Sequence, residues 1–239
     1  MIRPLIFGTC YVDTSEKRDV VTLWARLMTK LNPDIPLLLV DSASPFNPAV
    51  FLNEAPEIKA RDDFTIFSFG DNIGHLSAGG RDGWGRAFCQ GLGLARSWNR
   101  TDVAYIDADM LLARPVMPIM KKMAGAGVRV ACPLDMTYQF VENGIVFAEL
   151  DYLREIEFTR KYNWEHSPTP DCAETFPERR FEKIVESELF LLPLRGLRND
   201  FDRVNVENVG AWPYGIDYIT HCKDPRVYQR FLEVNGIEL

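Results

Sequence analysis

The chain has 239 residues, 46% of them hydrophobic and 26% charged, which is enough to bury the core of one undivided α/β domain. Its formal net charge of −7 disfavours nucleic acid or an anionic membrane surface as the main partner, because both demand a basic face. The five cysteines, Cys10, Cys89, Cys132, Cys172 and Cys222, form no CxxC pair and no disulfide framework, so they read as small core residues of a protein in a reducing compartment, the cytoplasm.

In chain order, Pro4 to Val12 reads as a first strand, followed by a turn with Asp13, Thr14 and Ser15. The apolar run there is too brief for a signal peptide, and no stretch is long enough to span a bilayer. Val20, Leu23, Trp24, Leu27, Met28 and Leu31 recur at helical spacing as far as Asn32-Pro33, where a helix must stop. Ile35 to Val40 reads as a second buried strand that completes a βαβ unit. Asp41, at its carboxyl end, joins the candidate cofactor-binding residues. Phe64 to Phe69 is a third strand, closed by Gly70-Asp71-Asn72, and 79–98 reads as a helix. This alternation predicts a mainly parallel sheet flanked by helices.

Val103 to Leu112 is the stretch around which the chain is organised, an apolar run interrupted by Asp107 and Asp109. The length and composition predict a buried strand with the carboxylates where it ends, the edge at which α/β sheets bind ligands. In extended chain the two acids share a side-chain direction. Two like charges so placed invite a hard divalent cation, Mn²⁺ or Mg²⁺. Beyond it, 128–132 and 144–148 read as strands, 150–162 as a helix and 163–180 as a long ordered loop, where an exposed Trp164 would offer a sugar-stacking face. A helix over 181–192, with 189–192 as an alternative strand, and a last amphipathic helix from Asp224 complete the chain.

Taken in order, Thr9-Cys-Tyr11, Trp84-Gly-Arg86-Ala87, Tyr105-Ile-Asp-Ala-Asp-Met110, Asn143-Gly-Ile-Val-Phe147 and Ile219-Thr-His221 resemble the GT-A fold glycosyltransferases, most of all glycosyltransferase family 8. The segment Asp71-Asn-Ile-Gly-His75 adds some family 2 character. The resemblance implies one GT-A domain over 1–239, with a nucleotide-sugar-binding half (1–112) and an acceptor-side half (113–239). It implies that Thr9 and Tyr11 line the base pocket and that Arg86 approaches the donor. It further implies that Asp107, Asp109 and His221 hold the cation, and that a nucleotide-sugar donor, UDP-linked before GDP-linked, meets a saccharide or glycoconjugate acceptor. Three segments depart from the family. Asn143 adjoins Gly144 directly, Glu186-Ser-Glu188 stands where the family has Asp-Gln-Asp, and Lys223-Asp-Pro225 lacks the tryptophan of the family's Lys-Pro-Trp.

The candidate catalytic residues are therefore Glu188, Glu186 and Asn143, with Glu188 or Glu142 as the proton acceptor if the reaction inverts the anomeric centre. If it retains, as family 8 implies, the leaving phosphate takes the proton. Plainer readings stand beside these: Arg86 paired with Asp82 one turn earlier, Thr9 and Tyr11 as strand-end packing, Glu186 and Glu188 as a charged helix face. Three other functions also remain open: a HAD-type phosphohydrolase with Asp107 as nucleophile, a nucleotidyltransferase that makes the sugar nucleotide, although Thr9 to Ser15 lacks the glycines of a phosphate loop, and a non-catalytic nucleotide-sugar or glycan binding protein.

Overall fold

The computed structural model describes residues 1–72, 82–135, 140–164, 177–185, 188–198, 204–211, 215–222 and 224–239. The first unit is β1 (Pro4–Cys10), α1 (Ser15–Leu31) and β2 (Leu37–Asp41), the expected βαβ. The Thr14 hydroxyl accepts the Lys17 amide to start α1 and the Asn32 amide closes on Met28 to end it, with Pro33 barring a further turn. Two short helices opened by prolines, α2 (Pro48–Phe51) and α3 (Pro56–Lys59), lead to β3 (Phe64–Ser68). Next comes α4 (Gly83–Ser97), capped by the Asp82 carboxylate on the Gly85 amide at 2.8 Å. The expected start of that helix at 79–81 lies outside the described residues.

The second half runs β4 (Asp102–Ile106), β5 (Met110–Leu112), α5 (Val116–Gly125), β6 (Val130–Asp135), β7 (Phe140–Val141) and β8 (Ile145–Glu149). It continues through α6 (Leu150–Glu155), α7 (Phe158–Lys161), α8 (Pro177–Val185), β9 (Leu189–Leu192), β10 (Gly196–Arg198), β11 (Tyr218–Thr220) and α9 (Pro225–Val234). The main sheet has the order β3-β2-β1-β4-β8-β6-β7 with β9 beside β6. It is parallel from β3 to β4 and antiparallel through β8, β6 and β7, and β9 pairs with β6 in parallel. A small sheet, β10-β11-β5, stands apart from it.

Alternation along β1 divides the core. Ile6 faces α1 and its neighbours Trp24 and Leu27, whereas Leu5 and Phe7 face α4 and the aromatic set of Phe88, Tyr105, Phe158 and Phe181. Two glycines permit this close layering: a Cβ at Gly8 would come within 2.7 Å of the Trp24 ring, and one at Gly91 within 2.3 Å of the Phe7 ring.

Several expectations are corrected. The run Val103–Leu112 is two strands, because Met110 bonds back to the Asp107 carbonyl at 2.9 Å and β5 then leaves the main sheet to pair with β11. Asp107 and Asp109 accordingly lie in a turn rather than in extended chain. The helix expected over 150–162 breaks at Glu157, whose φ of 54° ends the α6 turn before α7 begins. The helix expected over 181–192 is α8, which starts earlier, and its last residues pair with β6 as β9, the alternative reading of Leu189 to Leu192. Of the expected loop, 165–176 lies outside the described residues, and Trp164 is half-buried against the aromatic core rather than free to stack on a sugar.

Candidate functional site

The turn after β4 is fastened from both sides at the carboxyl edge of the sheet. The Asp107 amide donates to the Gly144 carbonyl of the β7–β8 turn at 2.8 Å, and the Ala108 amide donates to the Thr9 carbonyl at 3.1 Å. Ala108, fully buried, lets the turn lie flat against the core. Asp107 Oδ1 accepts the Thr9 hydroxyl at 2.6 Å and the Ala108 amide at 3.0 Å, and Thr9 also bonds the Tyr105 hydroxyl at 2.9 Å. Asp107 is thereby held in one orientation by residues of two adjacent strands.

The small sheet brings in the far end of the chain. Thr220 pairs with Met110 and Ile219 with Leu111, antiparallel, so the next step of that register sets the backbone of His221 beside Asp109. His221 is exposed with φ of 58°, a left-handed conformation uncommon outside glycine. From α9, the Tyr228 hydroxyl donates to the Asp109 carbonyl at 2.7 Å and accepts the Cys222 amide at 3.1 Å. One buried phenol thus ties the acidic turn to the segment that carries His221. Burial, and then the charge of Asp109, keep that phenol protonated by raising its pKa well above the ordinary value.

Burial and the neighbouring Asp109 carboxylate push the Asp107 carboxyl up to about 7, against the hydrogen bonds from Thr9, Tyr105 and the Ala108 amide. A cation beside the pair would relieve that repulsion. Carboxylate oxygens with one imidazole make a donor set suited to Mn²⁺ or Mg²⁺, so the residues fit such an ion in chemistry and in backbone placement. Among the described residues, however, no three His, Cys, Asp or Glu side chains are grouped so as to cage a metal. Asp107, Asp109 and His221 are neighbours through their backbones, and their side chains are not drawn to one point.

The other expected residues divide between this edge and elsewhere. Arg86 is at the edge: it bonds the Asp71 carboxylate at 3.0 Å and the Asp71 carbonyl, and lies 3.9 Å over the Phe69 ring. Asp82 instead caps α4 and accepts the Tyr162 hydroxyl at 2.6 Å, so the expected Arg86–Asp82 side-chain pairing is replaced. Tyr11 is exposed, with the Lys17 ammonium 5.7 Å from its ring centroid. Asp41, buried next to Cys10, accepts the Ser44 amide at 3.2 Å and the Ser44 hydroxyl, and so braces the loop after β2. Thr9, buried, supports Asp107 through its hydroxyl. Glu142 and Asn143 are buried in the turn that receives the Asp107 amide, and Asn143 Nδ2 has no hydrogen-bond partner among the described residues.

Glu188 is at the wrong end of the sheet. The register Leu189–Val130–Ala148–Val103 sets Glu188 level with Asp102, five positions before Asp107 and about 16 Å back along the strand direction, with β8 and β6 lying between β9 and β4. Its charge is felt there by Tyr152 of α6, not by the acidic turn. Glu186 lies outside the described residues. Sequence reasoning missed Tyr228, which carried only the signal of an apolar helix face, and Tyr105, whose hydroxyl reaches Thr9 from within a buried strand.

No family model matches the sequence, and no curated protein matches it either. Solved structures do match. The bifunctional glycosyltransferase WbbM in its apo form aligns with a TM-score of 0.62 at 11% identity, over 98% of this chain and 49% of that one. The galactosyltransferase LgtC, in complex with donor and acceptor sugar analogues, aligns with a TM-score of 0.58 at 11% identity, over 98% of this chain and 95% of that one. A glycosyltransferase involved in glycosylation of the major capsid of PBCV-1 aligns with a TM-score of 0.52 at 7% identity, over 98% and 99%. The chain spans about half of WbbM and nearly all of LgtC. Together with the strand order, these likenesses show that the chain has the GT-A fold.

Proposed function

We propose that the chain is a metal-dependent glycosyltransferase that moves a sugar from a nucleotide-diphosphate donor, UDP-linked by preference, to a saccharide or glycoconjugate acceptor. The observation that carries this reading is the acidic turn at Asp107–Asp109, locked at the carboxyl edge of a GT-A sheet with the backbone of His221 alongside. Asp107, Asp109 and His221 would hold Mn²⁺ or Mg²⁺, which supplies positive charge to the diphosphate as it leaves. The phosphohydrolase reading loses ground: its nucleophile ends the first strand of its own fold, whereas Asp107 follows β4 and has Oδ1 engaged by Thr9 and Ala108.

The chain's own residues divide the remaining work. Arg86, freed from the exposed carboxylate of Asp71, would bind a donor phosphate. Tyr11 would offer its exposed ring to the base. Asn143, whose amide nitrogen lacks an acceptor among the described residues, would donate to a sugar hydroxyl at the edge of the site. In an inverting reaction Glu142 would accept the proton of the acceptor hydroxyl; a retaining one needs no protein base. Residues 1–112 would then form the donor half and 113–239 the acceptor half.

The test is thermal-shift and calorimetric titration of UDP-, GDP- and CMP-sugars with and without Mn²⁺, on the wild type and Asp107→Ala. Mn²⁺-dependent stabilisation by one nucleotide sugar and its slow hydrolysis, both lost in the variant, are expected. Binding without turnover under any acceptor would leave the non-catalytic binding protein, and no response to any nucleotide would refute the donor assignment.

A further inference from the structure

At the opposite end of the sheet a cleft of 270 Å³ is lined by Arg3, Arg96, Arg100 and Arg154 together with Asn99 and Asp151. Arg3 precedes β1 and Arg100 precedes β4, whereas Thr9 and Asp107 close those strands, so a strand length of about 16 Å separates this cleft from the acidic turn. The one acid that lines it among the described residues, Asp151, already pairs with Arg154 at 2.9 Å. Four guanidinium groups against one carboxylate is a concentration of positive charge in a chain whose net charge is −7.

The guanidinium groups are also short of acceptors. Among the described residues, Arg96 Nε and Nη2 and Arg100 Nε are buried without any hydrogen-bond partner. A charged donor left in that state costs more than a neutral one, and native proteins rarely tolerate it. The position of Arg96 in the last turn of α4 suits the helix dipole but leaves those nitrogens unbonded. Burial, and then the nearby Arg154 charge, lower the pKa of Arg96 from its ordinary value against a smaller opposing effect of Asp151, as expected where cations outnumber anions.

We propose that this cleft binds a phosphoryl group, as a phosphate mono- or diester, between the guanidinium groups of Arg96, Arg100 and Arg154. A carboxylate would neutralise one of these cations, whereas a phosphate presents several acceptor oxygens to planar forks that match it in geometry. A small turn of the Arg96 and Arg100 planes toward the bound oxygens gives the orphaned N–H groups their acceptors. The cleft is sized for a phosphorylated small molecule or a single lipid headgroup, not for a polymer. The proposal does not depend on the transferase reading, since it shares no residue with that site.

The probe is inorganic phosphate, titrated into the full chain in EDTA at ionic strength matched with sodium chloride, followed by thermal shift and calorimetry. Saturable stabilisation is expected, with affinity at least about tenfold weaker in Arg96→Gln and in Arg154→Gln, the loss of one charge-assisted contact. Arg230→Gln, on α9 and paired with Glu233 away from both sites, should respond like the wild type. Arg100→Gln replaces Arg96→Gln if the latter fails to fold by circular dichroism. Co-sedimentation with phosphatidylglycerol vesicles that is lost in Arg96→Gln assigns the phosphoryl group to a lipid; response to free phosphate alone assigns it to a soluble ester. No stabilisation beyond the salt control, or stabilisation kept at wild-type affinity in both Arg96→Gln and Arg154→Gln, overturns the proposal.

Discussion

The Tyr228 hydroxyl donates to the main-chain carbonyl of Asp109 at 2.7 Å and, on its other side, accepts the Cys222 amide at 3.1 Å. Asp109 and Cys222, from distant parts of the chain, are thereby fixed by one oxygen on the last helix. Tyr228→Phe keeps the ring in its buried slot and removes both hydrogen bonds. The expected cost is about 1–3 kcal/mol, or a fall of several degrees in the midpoint of thermal unfolding for a chain of this size. On the proposed metal-dependent reading the lost oxygen orients the turn and not the nucleotide, so Mn²⁺ affinity measured by electron paramagnetic resonance should weaken, while metal-free UDP binding stays put. An unchanged Mn²⁺ affinity would make Tyr228 a packing residue only.

Thr9 gives a parallel case from the first strand. Its hydroxyl sits between Tyr105 at 2.9 Å and Asp107 at 2.6 Å, so Thr9→Val leaves shape and burial nearly intact and removes a donor to a carboxylate. A stability loss of about 1–3 kcal/mol is expected, read from urea midpoints. If Thr9 acts as this support and not as a wall of a base pocket, the affinity for free nucleoside should be the same in both proteins. A selective loss of nucleoside binding would restore the pocket role.

Glu188, expected at the reacting centre from its place in the sequence, is placed level with Asp102 by strand register. Glu188→Gln should therefore leave transferase turnover within about twofold of wild type, whereas Glu142→Gln, in the turn that holds the Asp107 amide, should reduce it by about 10²-fold or more if the reaction inverts. Initial-rate measurements on the two variants decide between them, and a large loss in Glu188→Gln would contradict the observed pairing of β9 with β6.

What was legible in the sequence follows from the range over which each signal acts. The βαβ start and the acidic break after Ile106 are local patterns of apolar runs and turn residues, and they lie where the sequence places them. The bend that sends β5 out of the main sheet depends on its partner β11, more than 100 residues on, and nothing local to Met110–Leu112 announces it. The same holds for Leu189 to Leu192, apolar enough for helix or strand, whose choice was made by the free edge of β6. Tyr228 and Tyr105 wrote only their apolar faces into the pattern, since a hydroxyl at the rim of a buried ring leaves no periodic trace. His221 was legible as a residue type, and its place beside Asp109 emerged only from the register of the small sheet.

Asp102 supplies a pH dependence free of the acidic turn. It stands opposite Glu149 across β4 and β8, and burial, with that like charge as a smaller cause, raises its carboxyl above the ordinary carboxylate range against the hydrogen bond from Thr101. In the window between its unfolded pKa, about 3.9, and its raised folded value, the folded chain holds more proton than the unfolded one. Stability contributed by Asp102 is therefore present at the acid side of that window and is lost as pH rises through it. Asp102→Asn cannot titrate, so the difference in urea midpoint between wild type and variant should move in the variant's favour as pH is raised from about 4 and then level off. Groups common to both proteins, the acidic turn included, cancel in that difference, and a difference that is flat across the whole range would show that Asp102 titrates in the folded chain as it does in the unfolded one.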